Sequence, residues 1–395
     1  MDSKPFFIRF LFIIFLYFYR CFFLPIRVFQ IRRKKIINVG FVISELGKWK
    51  TELLYQEMQK SSRFKPFIYV LNLPNGQDDV AILCDYLKKH DYSFYVFDNS
   101  RYFSRVFKPD LLFYQEPYGC NIKNNPFSLY CYVPYAFHTT DANWFINTPM
   151  LNIAWQVYYE NTMAIKSISK VMNNKSINCI VTGLPFTDLF LQPLTIYIDP
   201  WKNLKKKKRI IWAPHHTINT NQFVCHSTFM QYYDLMLSLA HKYRDVVQIA
   251  FKPHPLLKTK LYRIWGKECT DNYYSQWEKG ENTQLVLGNY VPLFLYSDAM
   301  IHDCGSFIVE YHYSKKPVMY LVNQKFQADG LNDFGKKAFD LHYKGVCAED
   351  VENFIKNIIA GKDEKKNERE IFYHDYLLPP DGNTASDNII KAILG

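Results

Sequence analysis

Apolar residues in the first part of the chain fall into short runs separated by polar, helix-compatible stretches. Ile36–Ile43 (I-I-N-V-G-F-V-I) reads as a first strand, followed by a helix over Lys48–Lys60, a strand over Pro66–Leu71, a helix over Asp79–Lys89 and a strand over Ser93–Phe97. Asp110–Tyr114 is a further apolar run. Strands alternating with helices of this length predict a parallel sheet covered by helices on both faces. The pattern recurs after a charged stretch, Lys205–Arg209, which marks a linker near residues 190–208. Strands are expected at Ile210–Thr217, Val246–Pro255, Thr283–Leu287, Ala299–His302 and Val318–Leu321, with a weak one at Gly345–Ala348. Helices are expected over Ser227–Tyr243, Glu349–Ile359 and, amphipathically, Asp387–Leu394. The fold class is therefore α/β, with two Rossmann-like doubly wound domains. The expected division is a segment 1–35, a first domain 36–195, a second domain 205–360 and a closing tail 361–395.

Phe6–Phe29 breaks this pattern, being the most apolar part of the chain. Its uninterrupted run, Phe10–Tyr19, is half of the ~20 residues that a membrane span requires. Arg9, Arg20 and Arg27 interrupt the segment, Pro25 is expected to break or kink a helix, and the basic cluster Arg32–Lys35 follows. No small-residue cleavage site follows, which argues against a signal peptide. Two readings remain: a monotopic helix in the headgroup region, or a short span with snorkelling arginines. Either keeps the following domain on the cytoplasmic face of the membrane.

Composition adds less. A net charge of +11 is compatible with an anionic membrane surface, phosphorylated substrates or nucleic acid. No zinc-finger pattern or repeated basic module supports nucleic acid. Nine cysteines without a C-x-x-C pair argue against a disulfide framework or structural zinc. The absence of G-x-G-x-x-G and of a Walker sequence removes support for a dinucleotide fold or a P-loop.

Candidate chemistry lies where strands end. After Ala299–His302 come a tight turn (Asp303, Cys304, Gly305), a short helix for which Ser306 suits the N-cap, and Glu310 one turn deeper on the same face. That arrangement fits a nucleoside diphosphate, with phosphates at the helix start and the carboxylate on ribose hydroxyls. A sheet connection with no ligand has the same pattern. Val246–Pro255 ends in Lys252 and His254, between stiffening prolines, and the pair suits charge neutralisation on a diphosphate. His215 and His216 end the preceding strand. With His302 and His254 they raise a metal site, but no H-x-x-x-H helix or carboxylate set accompanies them. A protein-bound divalent metal and a tightly bound cofactor are accordingly not expected. In the first half, Gln115–Gly119 and Tyr132–Asp141 follow apolar runs, making Glu116, His138, Thr139 and Thr140 candidates for acceptor contacts or a catalytic base. A structural histidine leaves the same signature at position 138.

Taken in order, W-A-P-H-H-T, K-P-H-P, S-D-A-M-I-H-D-C-G-S-F-I-V-E-Y with K-K-P-V-M-Y, and D-G-N-T-A-S resemble the CDP-glycerol glycerophosphotransferase family, and V-T-G-L-P-F-T-D resembles its T-G-x-P-R-x-D turn. The resemblance covers most of Ile210–Leu394. It implies the two-domain GT-B fold, with a cleft between an acceptor domain and a nucleotide-donor domain. It also implies transfer of a polyol-phosphate unit from a CDP-activated donor to a lipid-linked glycan or cell-surface polymer at the cytoplasmic membrane surface. The departures are specific: Gly305 stands at a family serine, Phe186 at the arginine, and Tyr135–Thr140 is the nearest counterpart of the family's H-G-T-P. A GT-B glycosyltransferase using a nucleotide-sugar, and a catalytically inactive scaffold of the same fold, are the alternatives.

Overall fold

The computed structural model describes residues 14–72, 77–97, 108–117, 127–202, 207–218, 227–323 and 330–395. The start of the Phe10–Tyr19 run, Tyr118 and Gly119, and Lys205 and Lys206 lie outside these residues. The chain divides into two compact units, one running to Asp188 and rejoined by Leu377–Gly395, the other Leu189–Tyr376. The last helix thus belongs with the first unit, where the sequence pattern had given the tail a segment of its own.

Each unit is built on one parallel sheet. In the first, β1 (Ile37–Ile43), β2 (Phe64–Leu71), β3 (Phe94–Phe97), β4 (Leu111–Tyr114), β5 (Leu129–Tyr132), β6 (Gln156–Tyr159) and β7 (Cys179–Val181) lie in the order β3-β2-β1-β4-β5-β6-β7. In the second, β8 (Lys208–Ala213), β9 (Val247–Phe251), β10 (Thr283–Leu285), β11 (Ala299–His302), β12 (Val318–Leu321) and β13 (Tyr343–Gly345) take the order β10-β9-β8-β11-β12-β13. Both are doubly wound. The order reverses between β1 and β4 in the first sheet and between β8 and β11 in the second. Loops part at these points and leave room for a ligand at the strands' carboxyl ends.

The cores explain why so many strand residues are aromatic. Phe41 of β1 stacks on Phe113 of β4 with centroids 5.0 Å apart. In the second unit Trp212 of β8 lies 4.9 Å from Phe251 and 5.4 Å from Trp277. Strands buried on both faces favour such runs over polar-apolar alternation.

The amino-terminal helix α1 spans Ile14–Arg32 and does not stop at Pro25. A π-helical stretch, Tyr19–Phe23, precedes the proline and absorbs its missing N–H, so the helix continues. Leu16, Leu24 and Ile31 are buried against the first unit.

Candidate active site

The switch point of the second sheet gathers several of the expected residues. After β8, Pro214 leads into His215 and His216, and after β9, Lys252 and Pro253 lead into His254. The ladder continues past both strand ends, with Lys252 N donating to Trp212 O and His254 N to Pro214 O. The imidazole centroids of His216 and His254 are 4.1 Å apart, those of His215 and His216 4.3 Å, and those of His215 and His254 5.1 Å. Their hydrogen bonds fix the tautomers. His254 caps the helix Pro255–Trp265, its Nδ1 accepting from Leu256 N at 3.2 Å. Lys260 Nζ donates to His216 Nδ1 at 2.8 Å. His215 Nδ1 meets the Thr217 hydroxyl at 2.9 Å and also accepts from Thr217 N. With Nδ1 acting as acceptor in each ring, each neutral imidazole carries its proton on Nε2.

The surroundings of His254 favour its neutral form, which suits hydrogen-bond donation more than the charge neutralisation its sequence context suggested. Burial, reinforced by His216, Lys252 and Lys260, lowers its pKa to about 3. Among the described residues Lys252, itself buried, and Lys260 bring positive charge to the site.

Asp303 sits at the end of β11 and is fully buried. Its carboxylate accepts from His215 N, Thr228 N and Thr228 Oγ1. It therefore braces the β8 loop and the start of the helix Phe229–Lys242. Burial raises its pKa to about 6 against the opposing pull of those hydrogen bonds. Ser306 also differs from expectation. Its backbone is already helical, its hydroxyl makes no cap, and it lies exposed, 3.4 Å from Cys304 Sγ. Gly305 beside it is half-buried. The helix it begins is a single turn, Phe307–Glu310. Glu310 is buried and accepts the Tyr290 hydroxyl at 2.6 Å.

A feature invisible in the sequence lies beneath this turn. His302 Nδ1 accepts from Cys304 N at 3.2 Å, so its Nε2–H points to His342 Nε2 at 3.1 Å. His342 Nδ1 in turn bonds Ala338 O at 2.9 Å, and His312 Nε2 bonds the same carbonyl at 3.0 Å. Burial and neighbouring groups hold His302 and His312 at about 3, and His342 well below its usual value. The chain of neutral imidazoles is a brace, and it places His302 under the turn rather than in a metal cluster.

In the first unit, His138 is buried. Its backbone N–H donates to Glu160 Oε1 at 2.7 Å, and its Nε2 bonds Asp141 Oδ1 at 2.9 Å. Ser167 Oγ donates to the same Asp141 carboxylate. Asp141 thus orients the His138 ring as a carboxylate orients the imidazole of a general base. Thr139 is half-buried and Thr140 exposed beside it. Glu116 lies two residues past β4 at the switch point, where it accepts from Ser44 Oγ at 2.8 Å and Lys48 Nζ at 2.6 Å. Burial works against the Lys48 charge, but its bonds to Glu116 and Glu45 outweigh burial and hold its pKa above the usual lysine range. The same ammonium lies 5.6 Å from the Tyr135 ring, three residues before His138. Lys48, Asp141, Glu160 and Lys260 were not singled out from the sequence.

Two of the sequence motifs form a single clamp. Asp188, the last residue of V-T-G-L-P-F-T-D, accepts from Ala385 N at 2.7 Å, Ser386 N at 3.0 Å and Ser386 Oγ at 2.8 Å at the start of the last helix, Ala385–Leu394. Gly183 has φ +79°, and a Cβ there would come within 3.0 Å of Ala385 Cβ and Pro379 Cγ. Phe186, in the arginine's place, packs edge-on to Phe137 with the Lys50 ammonium 5.2 Å from its ring.

A family model described as CDP-Glycerol:Poly(glycerophosphate) glycerophosphotransferase matches residues 134–395. No curated protein sequence matches the chain. Among solved structures, a variant of the wall teichoic acid polymerase TagF is similar with a TM-score of 0.63 at 15% identity, over 92% of this chain and 89% of that one. Another TagF variant, soaked with CDPG, gives 0.60 at 15% identity over 92% and 90%. A UDP-GlcNAc 2-epimerase from Neisseria meningitidis, bound to UDP-GlcNAc, gives 0.60 at 14% identity over 91% and 100%. At these identities the likeness establishes the fold, the two-domain GT-B class.

Proposed function

Since the chain belongs to the CDP-glycerol:poly(glycerophosphate) glycerophosphotransferase family, and is a transferase of the teichoic-acid type, we propose that it moves a glycerol-phosphate or related polyol-phosphate unit from a CDP-activated donor to a hydroxyl of a lipid-linked glycan. The acceptor oxygen bonds to the donor's β-phosphorus, the bond from that phosphorus to the bridging oxygen breaks, and CMP leaves with the electron pair. The hydroxyl proton passes to a base. Such chemistry depends on positioning and on stabilising phosphate charge.

One observation carries the donor half of this reading. At the β8/β11 switch point three imidazoles present Nε2–H donors, and two lysines flank them. The three rings are close enough together to raise a metal ion. A metal would need the Nε2 lone pairs, whereas the bonds from Leu256 N and Lys260 make Nδ1 the acceptor and leave Nε2 protonated. Nearby ammonium groups also oppose a cation. The donor set suits a diphosphate. In this reading Lys252 and Lys260 supply charge, His215, His216 and His254 supply N–H donors, and Gly305 and Ser306 offer backbone amides and a hydroxyl. The ribose hydroxyls are assigned to Glu310, whose carboxylate already orders Tyr290. His138, oriented by Asp141, is the base, with Glu116, Thr139 and Thr140 on the acceptor side. No step needs a protein-bound metal. The helix α1 is the membrane contact on the cytoplasmic face.

A nucleotide-sugar donor is the second reading, favoured by the occurrence of the same fold in an epimerase bound to UDP-GlcNAc. Purified protein given CDP-glycerol, CDP-ribitol and a set of UDP- and GDP-sugars, with membrane extract as acceptor, separates the two. Release of CMP from a CDP-polyol alone supports the proposal. Release of UDP or GDP moves the assignment to glycosyl transfer. No nucleotide release, with no thermal stabilisation by any donor, makes the chain a scaffold.

A further inference from the structure

The helix α1 has two faces of opposite character. Leu16, Leu24 and Ile31 are buried on one side, and Arg20 and Arg27 lie on that same side by helical spacing. Arg20 Nη2 donates to Asn152 O at 2.9 Å and Ala154 O at 3.2 Å. Arg27 bonds Phe127 O at 2.6 Å and Asp110 Oδ1 at 3.3 Å, and Lys34, just past the helix, pairs with Asp110 at 2.6 Å. Arg32 closes the series, its guanidinium donating to Ile393 O and Ala392 O at the end of the last helix. On the opposite side Phe15, Phe18, Phe22, Ile26 and Phe29 recur at three- and four-residue spacing, each at least half exposed.

Over the described residues, 14–32, these two faces favour the interfacial reading over the span. A span would strip Arg20 and Arg27 of their partners, expose Leu16, Leu24 and Ile31, and carry two guanidinium groups into hydrocarbon. The contacts run from Leu16 to Arg32, so one end cannot enter a bilayer while the other stays docked. A ridge of aromatic side chains along a docked helix instead matches the interfacial mode, in which an apolar face sinks into the boundary between headgroups and acyl chains.

Beside the ridge lies a groove of about 480 Å³ lined by Leu24, Val28, Phe29 and Trp155, with Arg32 and Arg33 among its residues. Its size lies within the range of small-ligand sites. Arg32 stands 6.0 Å from the Trp155 ring and Arg33 4.8 Å from that of Phe29. Residues 14–36 contain no Asp or Glu. Asp110, the acid that does meet the segment, is spent on its inner side, on Arg27 and Lys34. The outer side therefore combines aromatic surface with Arg33 and Lys35, both exposed.

We propose that α1 lies in the plane of the membrane as a docked ridge. The groove between α1 and Trp155 takes an anionic phospholipid, its phosphate on Arg32 and Arg33 and its first methylenes against Leu24, Val28 and Phe29. This rests on the membrane-surface reading above and names the lipid chemistry and the mode of contact. Attraction to anionic headgroups and apolar burial act together in such binding and are separable by salt.

The test uses the full chain and sedimentable vesicles of phosphatidylcholine, with and without about a third phosphatidylglycerol. Wild type is expected to bind the anionic vesicles at least tenfold more tightly than the neutral ones. Phe18→Ser with Phe22→Ser should lose at least tenfold on anionic vesicles at any salt. Arg33→Gln with Lys35→Gln should lose the preference for phosphatidylglycerol and its salt dependence. Both pairs are exposed, and unchanged melting temperatures and donor turnover in detergent check their folding. Native membranes washed with alkaline carbonate should release the protein. Retention after that wash, or full vesicle binding by the Phe18/Phe22 variant, overturns the in-plane ridge and leaves the membrane reading standing. Equal binding of both vesicle types overturns the phosphate seat. Failure of wild type to bind either overturns the membrane reading together with this inference.

Discussion

The proposed mechanism gives His254 two jobs at two nitrogens, and a substitution can separate them. Its Nδ1 caps the helix Pro255–Trp265 by accepting from Leu256 N, while its ring lies 4.1 Å from that of His216 and 5.1 Å from that of His215, with Nε2–H left to donate. Asparagine can keep the cap, because its side-chain oxygen is a good N-cap acceptor, but it cannot place a donor where Nε2 lies. Removing one preorganised donor aimed at a phosphate oxygen should cost about 2.7–4 kcal/mol of barrier, a 10²–10³-fold loss of kcat. His254→Asn should therefore melt within about a degree of wild type and lose 10²–10³-fold in CMP release at saturating donor. His254→Ala should lose the same activity and also the cap, worth about 1 kcal/mol, which lowers the melting temperature of a unit this size by roughly 2–4 °C. Because burial and its cationic neighbours hold His254 neutral down to about 3, it should not supply the acid limb of the wild-type pH–rate profile above pH 5. His254→Asn retaining more than half of wild-type kcat would refute the donor role, whatever its stability.

Other expectations follow from burial. Asp188→Ala strips three hydrogen bonds from the start of the last helix and leaves Ala385 N and Ser386 N unsatisfied, so the first unit should lose about 2–4 kcal/mol, read as a lowered urea midpoint. Acid should destabilise the second unit. His254, His302, His312 and His342 have lowered folded-state pKa values, so their contribution is present above the unfolded value near 6.5 and is lost as pH falls toward 3. Asp303, raised to about 6, opposes them, but as one carboxyl against four imidazoles it leaves the net effect destabilising as pH falls. Urea midpoints measured from pH 7.5 to 5 should fall steeply, and a flat profile would contradict the neutral-imidazole brace. Asp141→Asn should lower kcat with little change in donor KM, because it disturbs the tautomer of His138 and leaves donor binding alone; a rise in KM alone would remove the pair from the acid–base role.

The strands nearest the donor half were legible because their edges are sharply punctuated. Ala299–His302 and Val318–Leu321 have the observed bounds, each a buried apolar run next to turn residues. The tyrosine-rich β5 and β6 were not resolved as strands, since L-Y-C-Y and Q-V-Y-Y show neither alternation nor a clear breaker. The helix Pro255–Trp265 escaped because two prolines read as an extended turn, whereas Pro255 occupies the first helical position, where its missing N–H costs nothing. The histidines at the donor site were visible by type and place, but their charge state was not. Neutrality depends on burial and on Lys260, which is 44 residues from His216 in the chain. The His302–His342 contact spans 40 residues, and the Asp188 contact with Ser386 spans 198. Such pairings are set by the sheet order and by the returning tail, and leave no local signal. Ser306 does hold the N-cap position the sequence suggested, but its helical backbone dihedrals leave its hydroxyl without a capping bond.

The leaving group tests the central claim most directly. With CDP-glycerol and a membrane acceptor, quantitative ³¹P NMR should show one CMP released for every new phosphodiester formed, with the glycerol and its phosphate moving together. CDP appearing in place of CMP would mean that the bond between the glycerol carbon and the β-phosphate oxygen breaks. The diphosphate would then leave intact, as in transfer from a nucleotide-sugar, and the phosphotransfer account would be wrong.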